Sequence, residues 1–580
     1  MRVRVHPSFF LLPLLFLCGT IAAETAGPVE VNLSAPEVRG QLNNKTRRIT
    51  EAGDLEFRHD SAIKSWTGIP LDPAQLAGRE LLFSIGVEAE DLPESVKNGD
   101  GILVQIHYVA ANGKEQFLRL PIPNKNGAMS RHTLKIAFPE GIRKAGLDLA
   151  LLNVAGKVRF HAPGFREVRP AETFQTCTVT GTLDRENALY EAGEPMIFRF
   201  RILDNGKPVS GRVRLIRAGD DGKTEVRTLD VDAEKPLEFR SSLNCPGYVM
   251  VRAMLLGDDG EPVQRIPRPG IGPRPVQYGL AGGVAPEKLQ QGRPEPADFD
   301  AFWREELAKL AGVPLKVLEK KSVESGEKVE VFDVKLSCVG DRPVSGYLTM
   351  PKSAAKGEKF PVRLRFDGYS VQSAPLYRDE DVITFSINPH GIENGRENAY
   401  YRELQSSILA GYGFRNEENQ SPLTTYFHDM ILRGVRAAEF VKTLPEWDGK
   451  HFEITGGSQG AFQSAAVAAL TKGATKCFLQ IPWFCDLWGI EVGRVRGWRP
   501  DPAPGLLYYD TVNFARRIHC PVKIDAGLSD WVCPPSGVRI LYNNLPGPKE
   551  LVFLQGLDHA VYFGFDRSTT PRVVVKEAGR

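Results

Sequence analysis

Residues 451–470, HFEITGGSQGAFQSAAVAAL, carry the densest chemical signal in this 580-residue chain. Phe452 to Thr455 has the composition of a short buried strand, and Ala461 to Leu470 that of a buried helix. Between them stands Gly456-Gly457-Ser458-Gln459-Gly460, a G-x-S-x-G turn. Strand, G-x-S-x-G and helix together make a nucleophile elbow. The elbow holds its serine in a strained backbone conformation, and glycines flank it because side chains there would strike the strand and helix. It raises the hydroxyl above the sheet edge. The N–H groups at the helix start then face an oxyanion forming on that hydroxyl's target. The spacing therefore predicts Ser458 as a nucleophile for acyl transfer.

A serine needs a base and an orienting acid, and in this fold they follow it in the order acid, then histidine. Ten histidines are present, and five precede residue 170. His451 and His519 open strands, so they fall at the wrong edge of the sheet. His428 sits on a helix spanning 426–444, and His390 precedes the serine. His559 remains, in a Gly-containing loop after the strand ELVFLQ (550–555). Asp530 follows PVKIDAGL (521–528) and is the favoured acid, with Asp486, after CFLQIPW (477–483), second. One oxyanion donor should be the backbone N–H of Gln459, which follows the nucleophile. The other should come from a loop after an early strand. FPVRLRFDGYS (360–370) ends in such a loop and offers the Tyr369 N–H.

The elements around these residues imply a multidomain chain: two N-terminal all-β sandwich domains followed by an α/β-hydrolase domain. Residues 24–170 show alternating runs such as GILVQIHYVA (101–110), broken by Asn-Gly turns, and read as a β-sandwich or jelly roll. Carbohydrate binding is one role for such a domain and simple spacing is another. Residues 171–268, with PMIFRFRIL (195–203) and YVMVRAMLL (248–256), fit an immunoglobulin-like sandwich. Residues 269–296 are Pro/Gly-rich and read as a linker. From 297 to 580, β and α signals alternate, as a parallel sheet flanked by helices requires.

Several segments of this last region resemble the acetyl xylan esterase and cephalosporin-C deacetylase group, carbohydrate esterase family 7. They are DFDAFWREELAKL, the strand ending FDGYS, GVRAAEFVKTLPEWDG leading into ITGGSQG, GLSDWVCPPSGV, YNNLPGPKEL and the final histidine. The resemblance spans about Asp298 to the C-terminus. It implies Ser458, Asp530 and His559 as the triad, Tyr369 and Gln459 as the oxyanion pair, an acetylated carbohydrate such as acetylated xylan as substrate, and a homo-oligomer. No CxxC pair or His/Cys cluster appears in the sequence, so no metal and no cofactor is expected. Three positions depart from the family pattern: Asp367 replaces a His, His390 lies in an altered Arg-Gly-Gln element, and Ala560 replaces a Glu after His559. His390, Asp367, Asp486 and Trp483 are the candidate substrate-lining residues. The aromatic insert 483–510 is read as a lid.

Bulk properties set outer limits. The formal charge is +2, and the only charged residues among the first 23 are Arg2 and Arg4, so the remainder is neutral. That balance argues against nucleic acid or an anionic membrane as partner. Arg2 and Arg4, the apolar run Phe9–Cys18 and Ile21-Ala22-Ala23 read as a signal peptide over 1–23. A secreted or periplasmic protein with no membrane span after cleavage is the expectation. The cysteines are too sparse for a disulfide scaffold, and Cys177 with Cys245 is the one pairing a β-domain would offer. Two other functions fit a hydrolase placed behind β-domains: a prolyl-oligopeptidase-like serine peptidase, and a non-catalytic carbohydrate-binding protein with a vestigial hydrolase.

Overall fold

The computed structural model describes residues 28–43, 45–93, 96–97, 99–124, 126–265, 273–559 and 571–575. The signal-peptide reading of residues 1–23 falls outside them. Among the described residues no helix is long and apolar enough to cross a membrane. The chain divides into two compact units between Pro170 and Ala171.

The first unit is one eight-stranded sheet around a single apolar core. Its spine is the 24-residue strand Lys144–Glu167, which pairs with Leu55–Leu71, Glu80–Glu90 and Gly101–Val109. Its strands are hydrogen-bonded into one connected ladder. The reason is local: Asn153 and Gly156 adopt positive φ within the spine, so the strand bends without breaking and carries pairing from one half of the sheet to the other.

The second unit opens with two facing sheets around their own core. In Met196–Asp204 every second residue points inward, as a half-buried antiparallel strand demands. The Gly247–Leu256 strand is different, because both of its faces are buried. Val249, Val251, Ala253 and Leu255 fill the sandwich core. Tyr248 and Met250 on the opposite face join the core of the α/β region. Double burial explains why YVMVRAMLL reads as a nearly unbroken apolar run.

Within the stretch read as a linker, residues 277–284 are regular structure. Gln277–Val284 is a strand of the sandwich, antiparallel to Gly247–Leu256. Its glycines hid it, and each has a steric reason. A Cβ on Gly279 would stand 2.6 Å from the Ser529 Cβ, one on Gly282 would meet Met196 and Tyr190, and one on Gly283 would meet Tyr248. No disulfide joins Cys177 and Cys245.

The α/β region is built on a ten-stranded sheet. Its parallel centre runs, in spatial order, Ile383–Asn388, Phe360–Phe366, Trp447–Gly457, Lys476–Gln480, Val522–Gly527 and Lys549–Leu554. The chain lays Ile383–Asn388 on one side of Phe360–Phe366, then returns to lay Trp447–Gly457 on the other. That reversal is a topological switch point, and it opens a crevice at the carboxyl ends of Phe360–Phe366 and Trp447–Gly457.

Tyr248 is 5% exposed and meets Phe553 edge-on at 6.0 Å, joining sandwich to sheet. Tyr248→Ala should lower the stability of the full chain by about 3 kcal/mol, as large-to-small aromatic changes in cores do. Urea unfolding measures this; a change of under about 1 kcal/mol would show that the contact does not hold the two parts together.

Candidate active site

Ser458 sits at the switch point, between the Trp447–Gly457 strand and the Gln459–Leu470 helix. Its backbone has φ 57° and ψ −119°, a conformation L-residues seldom adopt. What holds it there is the crowding around its neighbours. A Cβ on Gly456 would lie 2.4 Å from the Gly460 carbonyl oxygen, and one on Gly460 would lie 2.2 Å from that of Phe366. Only glycine permits this approach. The side chain is 8% exposed.

The Ser458 Oγ lies 3.1 Å from His559 Nε2. His559 Nδ1 lies 2.8 Å from Asp530 Oδ2. Asp530 is fully buried, and its Oδ1 accepts from the backbone N–H groups of Val532 and Cys533, each at 2.8 Å. The acid is thus fixed by two amides on one oxygen and by the imidazole on the other. Nδ1 then carries the proton, which leaves Nε2 free to accept from the serine hydroxyl. Asp530, Cys533 and His559 lie close enough to hold a metal ion. The amide and imidazole contacts already occupy both carboxylate oxygens.

Gly368 passes close to Ser458: a Cβ on Gly368 would lie 3.9 Å from the Ser458 Cβ. The main-chain N–H groups of Tyr369 and Gln459 donate to no acceptor among the described residues. The structure thus brings together Ser458, His559, Asp530, Gln459 and the Tyr369 loop. Asp367, beside this loop, accepts from the Gln372 amide at 2.8 Å and stays partly exposed.

Three of the expected substrate-lining residues do something else. His390 is wholly buried and uses both ring nitrogens inside the protein, Nε2 with the Ser370 carbonyl and Nδ1 with the Tyr426 hydroxyl, each at 2.7 Å. Asp486 is 2% exposed, accepts from the Gly292 N–H at 2.6 Å and pairs with Arg494, so it ties the aromatic insert to the chain entering this region. Trp483 is 1% exposed within an aromatic cluster with Phe414, Phe462 and Trp498. All three side chains are buried and engaged within the protein.

Tyr412 has no signature in the sequence, yet it links the two oxyanion segments. Its ring stacks on Tyr369 at 4.2 Å and 11°. Its hydroxyl accepts from the Ser370 N–H at 3.2 Å and donates to the Gln459 Oε1 at 3.1 Å. The Tyr369 hydroxyl in turn donates to the Tyr412 carbonyl at 3.3 Å. With His390 gripping the Ser370 carbonyl, the loop is held from below and from the side.

Residues 287–492 and 504–574 match the family described as acetyl xylan esterase (AXE1). This part of the chain is similar to the acetyl xylan esterase family. The sandwich lies ahead of the family match, and residues 493–503, which include Trp498, fall in its gap. The acetyl esterase Axe7A of Xylanibacter ruminicola is 30% identical over 291 residues, which cover 47% of this chain and 66% of that protein, a little under two thirds of its length. Among solved structures, acetyl xylan esterase 1 from Thermoanaerobacterium sp. is 23% identical, with TM-score 0.37, covering 47% of this chain and 92% of that one. The acetyl xylan esterase of Paenibacillus sp. R4 is 22% identical, with TM-score 0.38, covering 47% and 93%.

Two outcomes follow from the loop supports. Tyr412→Phe removes the hydroxyl that joins Ser370 to Gln459; kcat for ester hydrolysis should fall about tenfold with KM nearly unchanged, since removal of an oxyanion-hole donor itself costs more. A rise in KM alone would show that Tyr412 serves binding instead. Burial draws the His390 pKa down from 6.5 to about 3. Between those values the unfolded chain takes a proton that the folded chain refuses, so this contribution is full above about pH 6.5 and shrinks as pH falls toward 3. Thermal unfolding across that window should fall less steeply with pH in His390→Gln than in the unaltered protein; equal slopes would mean that His390 does not titrate as its burial dictates.

Proposed function

We propose that this protein is a serine esterase that removes acetyl groups from carbohydrate esters such as acetylated xylo-oligosaccharides. The observation that carries the reading is the unbroken contact series from Ser458 Oγ through His559 to the buried Asp530. Ser458 attacks the ester carbonyl while His559 Nε2 takes the hydroxyl proton. Asp530 holds the imidazole in the required tautomer and stabilises the imidazolium that forms. The Gln459 and Tyr369 amides receive the negative charge of the tetrahedral oxygen. His559 returns its proton to the departing sugar oxygen, and water, activated by the same imidazole, releases acetate.

The carbohydrate leaving group is supported by Trp498. It is 43% exposed and meets Tyr369 edge-on at 4.8 Å, so an aromatic surface stands beside the oxyanion loop where a sugar ring can rest. An extracytoplasmic setting belongs to the same proposal and is supported by the basic, apolar and small-residue pattern of residues 1–23.

Acetate release from acetylated xylo-oligosaccharides by the full chain tests the reading. Ser458→Ala should reduce kcat by roughly 10⁴-fold or more, as loss of a triad nucleophile does. Acetate release that survives the substitution would remove Ser458 from the mechanism. Turnover of a prolyl peptide with no ester turnover would assign the site to a peptidase.

A further inference from the structure

The loops carrying Asp530 and His559 are enclosed in part by a domain that the family match does not include. Gln555 donates to the Ala281 carbonyl at 2.8 Å and accepts from the Ala281 N–H at 3.2 Å, so the loop leading to His559 is paired to a sandwich strand. Gln277 donates to Asp558 Oδ2 at 2.8 Å, one residue before His559. Arg252 stands opposite Gly279 in the neighbouring strand, on the face that meets Ser529. Its guanidinium carbon lies 4.5 Å from the centre of the Trp531 ring, one residue after Asp530. Arg252 is thus set between the sequence neighbours of two triad members.

This cation is only partly buried, and among the described residues it has neither a hydrogen bond nor an ion pair. Its Nε is a buried donor without a partner, and so is the Trp531 Nε1; the Gln277 Oε1 is a buried acceptor without one. Three unpartnered polar atoms in one corner are unusual, because buried polar groups are nearly always paired. Asp558 is the acidic group that bears on Arg252, and the Gln277 amide already engages its Oδ2. A guanidinium stacked on an indole keeps its in-plane N–H groups available, and their forked arrangement matches a carboxylate.

We propose that Arg252 is a substrate-binding residue that takes a carboxylate carried by the acetylated glycan itself. The proposal rests on the esterase reading above and narrows its substrate to glycans with uronic-acid units. A neutral acetylated xylan offers this corner no anion, whereas a glucuronic-acid branch near the ester does. Trp531 orients the guanidinium and supplies an apolar wall for the sugar that bears the acid.

The test compares kcat/KM of the full chain on acetylated xylo-oligosaccharides with and without a glucuronic-acid branch. The unaltered protein should prefer the acidic substrate, and raising salt from about 0.02 to about 0.5 M should shrink that preference as the charges are screened. Arg252→Gln should lower the acidic-to-neutral ratio about tenfold or more, with Arg252→Lys in between. An unaltered protein with no preference, or a variant that loses equally on both substrates, would overturn the proposal and leave Arg252 as packing for Trp531. Tryptophan fluorescence supplies a readout independent of catalysis. A deacetylated, uronate-bearing oligosaccharide is titrated into full-length Ser458→Ala, with and without Arg252→Gln. Binding that depends on Arg252 sustains the proposal even if no acetate is ever released. Acetate release without such binding sinks it and leaves the esterase reading intact.

Discussion

The carbonyl oxygen of Phe366 lies between two glycines. A Cβ on Gly456 would come within 2.8 Å of it, and one on Gly460 within 2.2 Å. This contact presses the end of the Phe360–Phe366 strand against the elbow and fixes three things together. It sets the turn of the Ser458 backbone, the entry of the Gln459–Leu470 helix and the path of the Gly368–Tyr369 loop past the serine. A side chain at either glycine would push strand and helix apart. The hydroxyl, the helix-end amide and the loop amide would then lose their common focus. Electrostatic stabilisation of an oxyanion depends on donors already in place before charge develops, so close backbone packing at this point precedes any chemistry.

Such packing depends on support from outside. The Tyr369 loop has little regular structure of its own, and Tyr412, His390 and Tyr426 hold it by hydrogen bonds and ring contacts. His390 suits the task because its burial keeps it neutral, so one nitrogen donates to the Ser370 carbonyl while the other accepts from Tyr426. A charged imidazole there would have to be carried without solvent, which burial disfavours.

The elbow could be read from sequence because its requirements are local: two glycines, a serine, a strand before and a helix after. His559 and Asp530 could be read because strand order restricts where a base and an acid can stand. Tyr412 could not, since its partners Ser370 and Gln459 are more than 40 residues away on either side and nothing in GYGF marks a hydroxyl that bridges two loops. His390 was legible as a residue near the site, but only three-dimensional packing decides whether an imidazole after a strand faces a ligand or the interior. The strand Gln277–Val284 was illegible for the opposite reason. Its glycines report close neighbours, Ser529, Met196 and Tyr248, and without those neighbours they read as flexibility.

The strand Gly247–Leu256 is buried on both faces over most of its length, and its partner Gln277–Val284 grips the loop that carries His559. A β-domain attached through a linker can be gained, lost or exchanged by recombination, and the enzyme behind it survives. This one has given up that freedom. Removing it would uncover an apolar sheet on one side and an unpaired glutamine beside the catalytic base on the other. The border between sandwich and hydrolase is therefore a poor site for domain shuffling, and the two have had to be inherited as a single unit.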